Sequence, residues 1–182
     1  FTQAAGELSH AYGAVADHLP QAVRRQLYRT EMEADAPTRE RYRASFAKAL
    51  EAIGRLDGAG VTLVPGTDAV AGFTLHREYE LWAQAGIPAA RVLQHATLGA
   101  ARVLGLEREI GQVAPGFTAD LALVEGDPTR DISAIRRVAM VVKQGDVFFP
   151  AEIYPALGVK PFAEPPLVRL PSRGTKTAAA AR

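Results

Sequence analysis

Apolar positions change their spacing twice along this chain, and each change marks a change of element. Tyr42, Phe46, Ala49, Ile53 and Leu56 recur every three or four residues, so the spacing predicts a helix with one apolar stripe beginning at Pro37-Thr38. Gly58 and Gly60 supply a left-handed stop after it. The period then disappears. Val61-Thr-Leu-Val64 is a continuous, β-branched apolar run, the pattern of a buried strand, and Pro65-Gly66 ends it because neither residue sits well in a central strand. The run delivers one carboxylate, Asp68, at the strand's carboxyl-terminal mouth. In α/β folds the loops open at that end while the strands hold the geometry rigid, so chemistry collects there. The plain alternative for Asp68 is a cap on the following turn.

Helical spacing returns from Thr74, with Leu75, Tyr79 and Trp82 on one face and Gly86 at the end. Pro88 opens a third helix carrying Val92, Leu93, Ala96, Ala100 and Leu104, closed by Gly105. Past Gly105 the pattern is that of strands. Ile110-Gly111 leads through the turn Pro115-Gly116 into Ala119-Asp-Leu-Ala-Leu-Val124, and Gly126-Asp-Pro128 turns the chain. Val138–Val142 and Val147–Phe149 flank Gln144-Gly145, a hairpin with glycine at a positive φ. Upstream, Leu8, Tyr12 and Val15 show helical spacing, and Pro20 suits the first turn of a short helix carrying Val23 and Leu27. From Glu164 onward the proline-, arginine- and alanine-rich tail has little to bury and reads as disordered. Helix followed at once by buried strand indicates an α/β class.

Composition narrows the function classes. A chain of 182 residues with 48% hydrophobic and 23% charged residues is that of a globular protein. Its formal charge of +1 gives no reason to expect nucleic acid or an acidic membrane as partner, and no apolar run approaches the roughly 20 residues of a span. There are no cysteines, so disulfides and thiolate metal sites are excluded and any metal must be held by His, Asp or Glu. Compartment stays open between the cytoplasm and an exported location. The chain opens at Phe1 without an initiator Met or a signal-type segment, and it reads as a piece of something longer.

The four histidines are His10, His18, His76 and His95, and no two stand in a His-x-His or i, i+4 arrangement. His76, eight residues past Asp68, is the one placed to touch substrate at the mouth; a partly exposed first-turn residue is the alternative. Phe73 flanks the same mouth and is a candidate pocket residue. His95 is expected to be packed or capped, and Trp82 and Tyr79 to serve the core rather than a substrate platform.

Read together, residues 57–149 resemble the carboxyl-terminal part of the amidohydrolase superfamily. Ala59-Gly-Val61 through Gly66-Thr-Asp68 is similar to the family's eighth barrel strand and its closing aspartate. Leu75-His-Arg-Glu78 and Ala85-Gly-Ile-Pro88 match the helix after it, and Ala96-Thr97, Ala100-Ala101 and Leu104-Gly-Leu106 the next helix. Ile110-Gly111, Pro115-Gly116, Ala119-Asp-Leu121 and Val142-Lys-Gln-Gly145 match the strand unit that completes the second domain. Each motif alone is weak; five in order are not. Within the superfamily the chain is most similar to imidazolonepropionase-like and prolidase-like hydrolases.

The resemblance implies the last part of a distorted (β/α)8 TIM-type barrel over residues 1–106, strands of a small composite β-sandwich over 107–163, and a tail over 164–182. It implies hydrolysis of a C–N bond in an amide, peptide or cyclic amide by metal-activated water. Asp68 is then both metal ligand and general base followed by general acid. It implies a divalent metal, typically zinc, as one or two ions whose other ligands lie outside this chain. The chain alone is therefore expected to bind catalytic metal poorly and to turn nothing over. The implied partners are a small-molecule or peptide substrate and the missing amino-terminal half of the barrel, with a homo-oligomer left open. Two alternatives stand beside this reading: a deaminase of the same superfamily, and a non-catalytic scaffold or interaction module that kept the fold.

Overall fold

The computed structural model describes residues 6–9, 11–29, 34–67 and 73–168. Helix α1 (Gln21–Gln26) follows Pro20 as expected, after a 3-10 turn at Ala16–His18. Helix α2 (Ala36–Gly58) begins where Asp35 caps it, the side chain accepting a hydrogen bond from the Thr38 backbone N–H at 2.9 Å. Helix α3 (Thr74–Gln84) ends in a Schellman motif: Gly86 takes φ +93°, its N–H bonds the Ala83 carbonyl, and the Ile87 N–H bonds the Trp82 carbonyl. The same bond pattern closes α2 at Gly60 and the third amphipathic helix at Gly105.

That third helix is one rod with a fault in it. α4 (Ala89–Gln94) passes through a π turn at His95–Gly99 into α5 (Ala100–Val103). Strands β1 (Leu121–Val124), β2 (Val138–Lys143) and β3 (Asp146–Phe148) form one antiparallel sheet in the order β1-β2-β3. The β2–β3 turn is the expected hairpin, with Gln144 at φ 52° and Gly145 at φ 93°, a two-residue turn of the type that matches strand twist. Asp120 pins it from β1's side: its carboxylate accepts from the Gln144 N–H at 2.8 Å and pairs with Lys143. A short helix α6 (Pro150–Ile153) packs on β2.

Two apolar clusters hold these elements. Trp82, Ile87, Val92 and Ile132 form one, with Ile53, Leu63 and Tyr79 against it, so a residue from the 3-10 turn Ile132–Arg136 closes the core of the helical layer. Trp82 is 4% exposed and its indole N–H donates to Glu78 Oε1 at 2.8 Å, a core role as its helix face predicts. Val15, Ala16, Leu19 and Leu27 form the other cluster, with Phe73 and Phe162 packed on it.

One expectation is corrected, the buried strand over 61–64. Residues 61–67 form no strand ladder with any described residue; Val61 and Val64 are 44% and 46% exposed, and only Leu63 of the run reaches the core. The stripe on α2 is likewise half-open, with Phe46 45% exposed. The residue pattern of a buried strand becomes burial only when neighbouring strands flank it, and the described residues bring none alongside. Neither a closed barrel nor a two-sheet sandwich is formed by the described residues: the sheet is single, and Leu123 and Phe148 remain exposed on it.

Candidate functional site

Asp68, the expected catalytic and metal-binding carboxylate, lies outside the described residues, as does His10. What brackets Asp68 is described. Upstream, the run ends at Thr67; downstream, the chain resumes at Phe73, the residue before α3. Thr67 Oγ1 and Thr74 Oγ1 lie 2.7 Å apart in a hydrogen bond, which ties the two ends of the segment together.

Phe73 is half-buried. Its ring packs on the Val15–Leu27 cluster and lies 6.2 Å from the Phe162 ring. Its carbonyl accepts a long hydrogen bond, 3.4 Å, from Arg136 Nη1. His76, in the first turn of α3, is partly buried. Desolvation, and next the positive charge of Arg136, lower its pKa from 6.5 to about 4, with Glu80 pulling weakly the other way. His76 is thus a neutral imidazole at neutral pH.

Behind it lies a buried cluster of charges. Glu80 accepts from Arg136 Nε at 2.7 Å and from Arg77 Nη1 at 3.0 Å. Burial alone would raise the Glu80 pKa, but the hydrogen bonds from the two guanidiniums outweigh it and hold the carboxyl below its ordinary value. Sequence reasoning missed Arg136 and Glu80. They stand 56 residues apart, and an arginine in an arginine doublet carries no signal that it is buried.

A second polar cluster joins α2 to the π turn. Asp57 Oδ1 accepts from Arg91 Nε and His95 Nε2, and the His95 ring meets Trp82 edge-on with centroids 5.7 Å apart. His95 is therefore packed and bonded. His18 is stacked on Phe162 at 3.7 Å, and its Nδ1 bonds the Lys160 carbonyl at 2.9 Å, which fastens the 158–163 segment to the amino-terminal cluster.

The described residues do not fit a metal centre by themselves. Among them no three His, Asp or Glu side chains gather to hold an ion. Asp57 and His95 meet, but the Arg91 guanidinium bonds the same carboxylate oxygen; His76 has Arg136 for a neighbour. A cation at either place would face a fixed positive charge. Among the described residues no helix is long and apolar enough to cross a membrane.

Comparison with known proteins agrees with the motif order. The model of the amidohydrolase family matches residues 13–148. A Xaa-Pro dipeptidase whose structure has methionine bound in the active site is 31% identical, with TM-score 0.52 over 55% of this chain and 25% of that one. A Bifidobacterium longum protein assigned as a prolidase is 28% identical, with TM-score 0.52 over 59% of this chain and 29% of that one. A protein described as an amidohydrolase is 28% identical, with TM-score 0.50 over 55% and 25% of the two chains. This chain therefore spans between 25% and 29% of the lengths of these proteins. No curated protein matches it.

Proposed function

Since the chain belongs to the amidohydrolase family, we propose that it is the carboxyl-terminal portion of a metal-dependent hydrolase that cleaves a C–N bond in an amide, peptide or cyclic amide. The observation that carries this reading is the family match over residues 13–148, which spans Asp68 and the elements on both sides of it. Likeness to a Xaa-Pro dipeptidase favours a peptide bond among the three. In this reading residues 1–106 belong to the barrel, 107–163 contribute strands to a composite sandwich, and 164–182 form a tail.

Asp68 is the acid–base residue. Its carboxylate accepts the proton of the attacking water and then gives it to the leaving amine, so one group serves both halves of the reaction. A short side chain suits that double duty if barrel strands in the complete hydrolase flank the 61–64 run and fix its end, because small displacements cost rate steeply. A divalent ion, zinc in this proposal and one or two in number, would supply an activated water at neutral pH when held by Asp68 together with ligands from outside the chain. Asp68 is the ligand this chain supplies to it; the remaining ligands belong to residues outside the chain. The neutral His76 and the ring of Phe73 contact the substrate beside Asp68, His76 through a hydrogen bond that needs no change of charge.

The test is a hydrolysis screen of Xaa-Pro dipeptides, simple amides and cyclic amides with the complete hydrolase, run with and without chelator. Turnover that chelation stops and Asp68→Asn abolishes supports the proposal. Chelator-insensitive turnover, or an active Asp68→Asn protein, sinks it.

A further inference from the structure

Among the described residues Arg136 is one of two buried charged side chains, at 6% exposure beside the Phe73 carbonyl, and its partner Glu80 is at 14%. Burying such a pair is poor value as a stability device. Desolvation of two ions offsets most of their attraction, and apolar residues of similar size commonly hold as well or better. This cluster carries further cost, because Arg136 Nη2 and Arg77 Nε are buried without a hydrogen-bond partner among the described residues. Packing alone therefore does not account for a guanidinium here.

Its contacts suggest what does. Arg136 Nε is locked on Glu80, in the second turn of α3, and that lock aims Nη1 at the Phe73 carbonyl, the residue preceding the first turn. One planar group thus grips α3 at two points along its first turns, and it comes from the 3-10 turn that leads into β2. Thr74, between those points, holds Thr67 on the far side of Asp68. The chain leaves Asp68 for an anchor that a residue of the sheet unit fixes.

We propose that Arg136, held by Glu80, is a positioning residue that sets Phe73 and the first turn of α3, and through them the downstream anchor of Asp68. The inference rests on the reading of Asp68 as the acid–base residue for its catalytic consequence, but not for its structural content. It gives the sheet unit a direct part in the active centre, although its strands contribute no reacting group. Lysine cannot replace this arginine, because a single ammonium does not present two donors in a fixed fork.

Hydrogen exchange on this chain tests the anchor, with Arg136→Lys, Arg136→Met and the isosteric Glu80→Gln. Exchange over residues 73–78 is expected to speed up by about tenfold in all three, as local opening becomes easier, while residues 89–103 keep the wild-type rate. In the complete hydrolase, with a Xaa-Pro dipeptide as probe, kcat/KM is expected to fall by roughly 100-fold, with lower kcat from the displaced Asp68 anchor and higher KM from the loosened Phe73 and His76. Wild-type exchange over 73–78 in Glu80→Gln and Arg136→Lys overturns the inference. So does faster exchange in Glu80→Gln that is matched over 89–103, because the pair then only supports global stability. Asp68→Asn is run alongside. If it retains turnover while 73–78 loosens in the Arg136 variants, the catalytic reading falls and the anchor stands; if it is dead while Arg136→Lys keeps full kcat and tight exchange, the anchor falls and the reading stands.

Discussion

Asp57 Oδ1 lies 2.8 Å from both Arg91 Nε and His95 Nε2, so one carboxylate near the end of α2 ties the first turn of α4 to the start of the π turn. The three side chains come from positions 34 and 38 residues apart, and the cluster sits against Trp82 at the edge of the core. A π turn is an uncommon interruption of an α-helix, and here its first residue, His95, is bonded to Asp57.

Asp57→Asn is therefore expected to lower the stability of the chain by about 1–3 kcal/mol, since the neutral amide oxygen accepts the same two bonds without the charge that strengthens them. The pH dependence follows from the sign of the Asp57 shift. Burial raises its pKa, but the bonds from His95 and Arg91 more than reverse that, and the folded value lies below 3.8. The contribution is present above the ordinary carboxylate pKa and is lost as pH falls through the lower folded value. Urea unfolding of wild type and Asp57→Asn from pH 7 down to pH 2 checks both statements; parallel curves with equal midpoints would refute them.

His76 makes the opposite kind of group, one buried without its charge. Its unfolded pKa is 6.5 and its folded pKa about 4, so the unfolded chain binds the extra proton between those values. Stability is expected to be whole above pH 6.5, to decline as pH falls from 6.5 to about 4, and to lose nothing further from this group below that. His76→Gln should flatten the decline in that window. An imidazole titrating near 6.5 by NMR in the folded chain would show the prediction to be wrong.

Gly54 of α2 faces the backbone at the carboxyl-terminal end of α3. A Cβ there would stand 2.3 Å from the Ala85 carbonyl oxygen, which belongs to backbone and cannot swing aside. Gly54→Ala should therefore destabilise the chain by about 1–3 kcal/mol, although alanine favours an isolated helix. A thermal midpoint equal to or above wild type would mean that the helices separate freely.

Phe46, Leu56, Val61 and Val64 are each more than two-fifths exposed. Exposed apolar groups of this size drive association. The isolated chain is expected to self-associate in a concentration-dependent way, and Val61→Lys with Val64→Lys to reduce it. If barrel strands flank this run in a complete hydrolase, as proposed, the same pair of changes should do harm there. Light scattering on the chain and thermal unfolding of the complete protein give the two signs, and equal signs would tell against the barrel reading.

Local physics was enough for much of this. The sequence by itself determined the helix that begins beside Pro37, the glycine stops at Gly60, Gly86 and Gly105, and the Gln144-Gly145 hairpin, because caps, periodicity and positive φ are settled within a few residues of chain. It also determined the family, through motifs in order. Tertiary structure alone decided what lies far apart in sequence. Asp57 with His95, Gly54 against Ala85, and Arg136 on Glu80 depend on how helices cross and not on any local pattern. For the same reason the run at 61–64 read as buried and is half-exposed: residue type records what a segment would gain from burial, and only neighbouring elements can supply it.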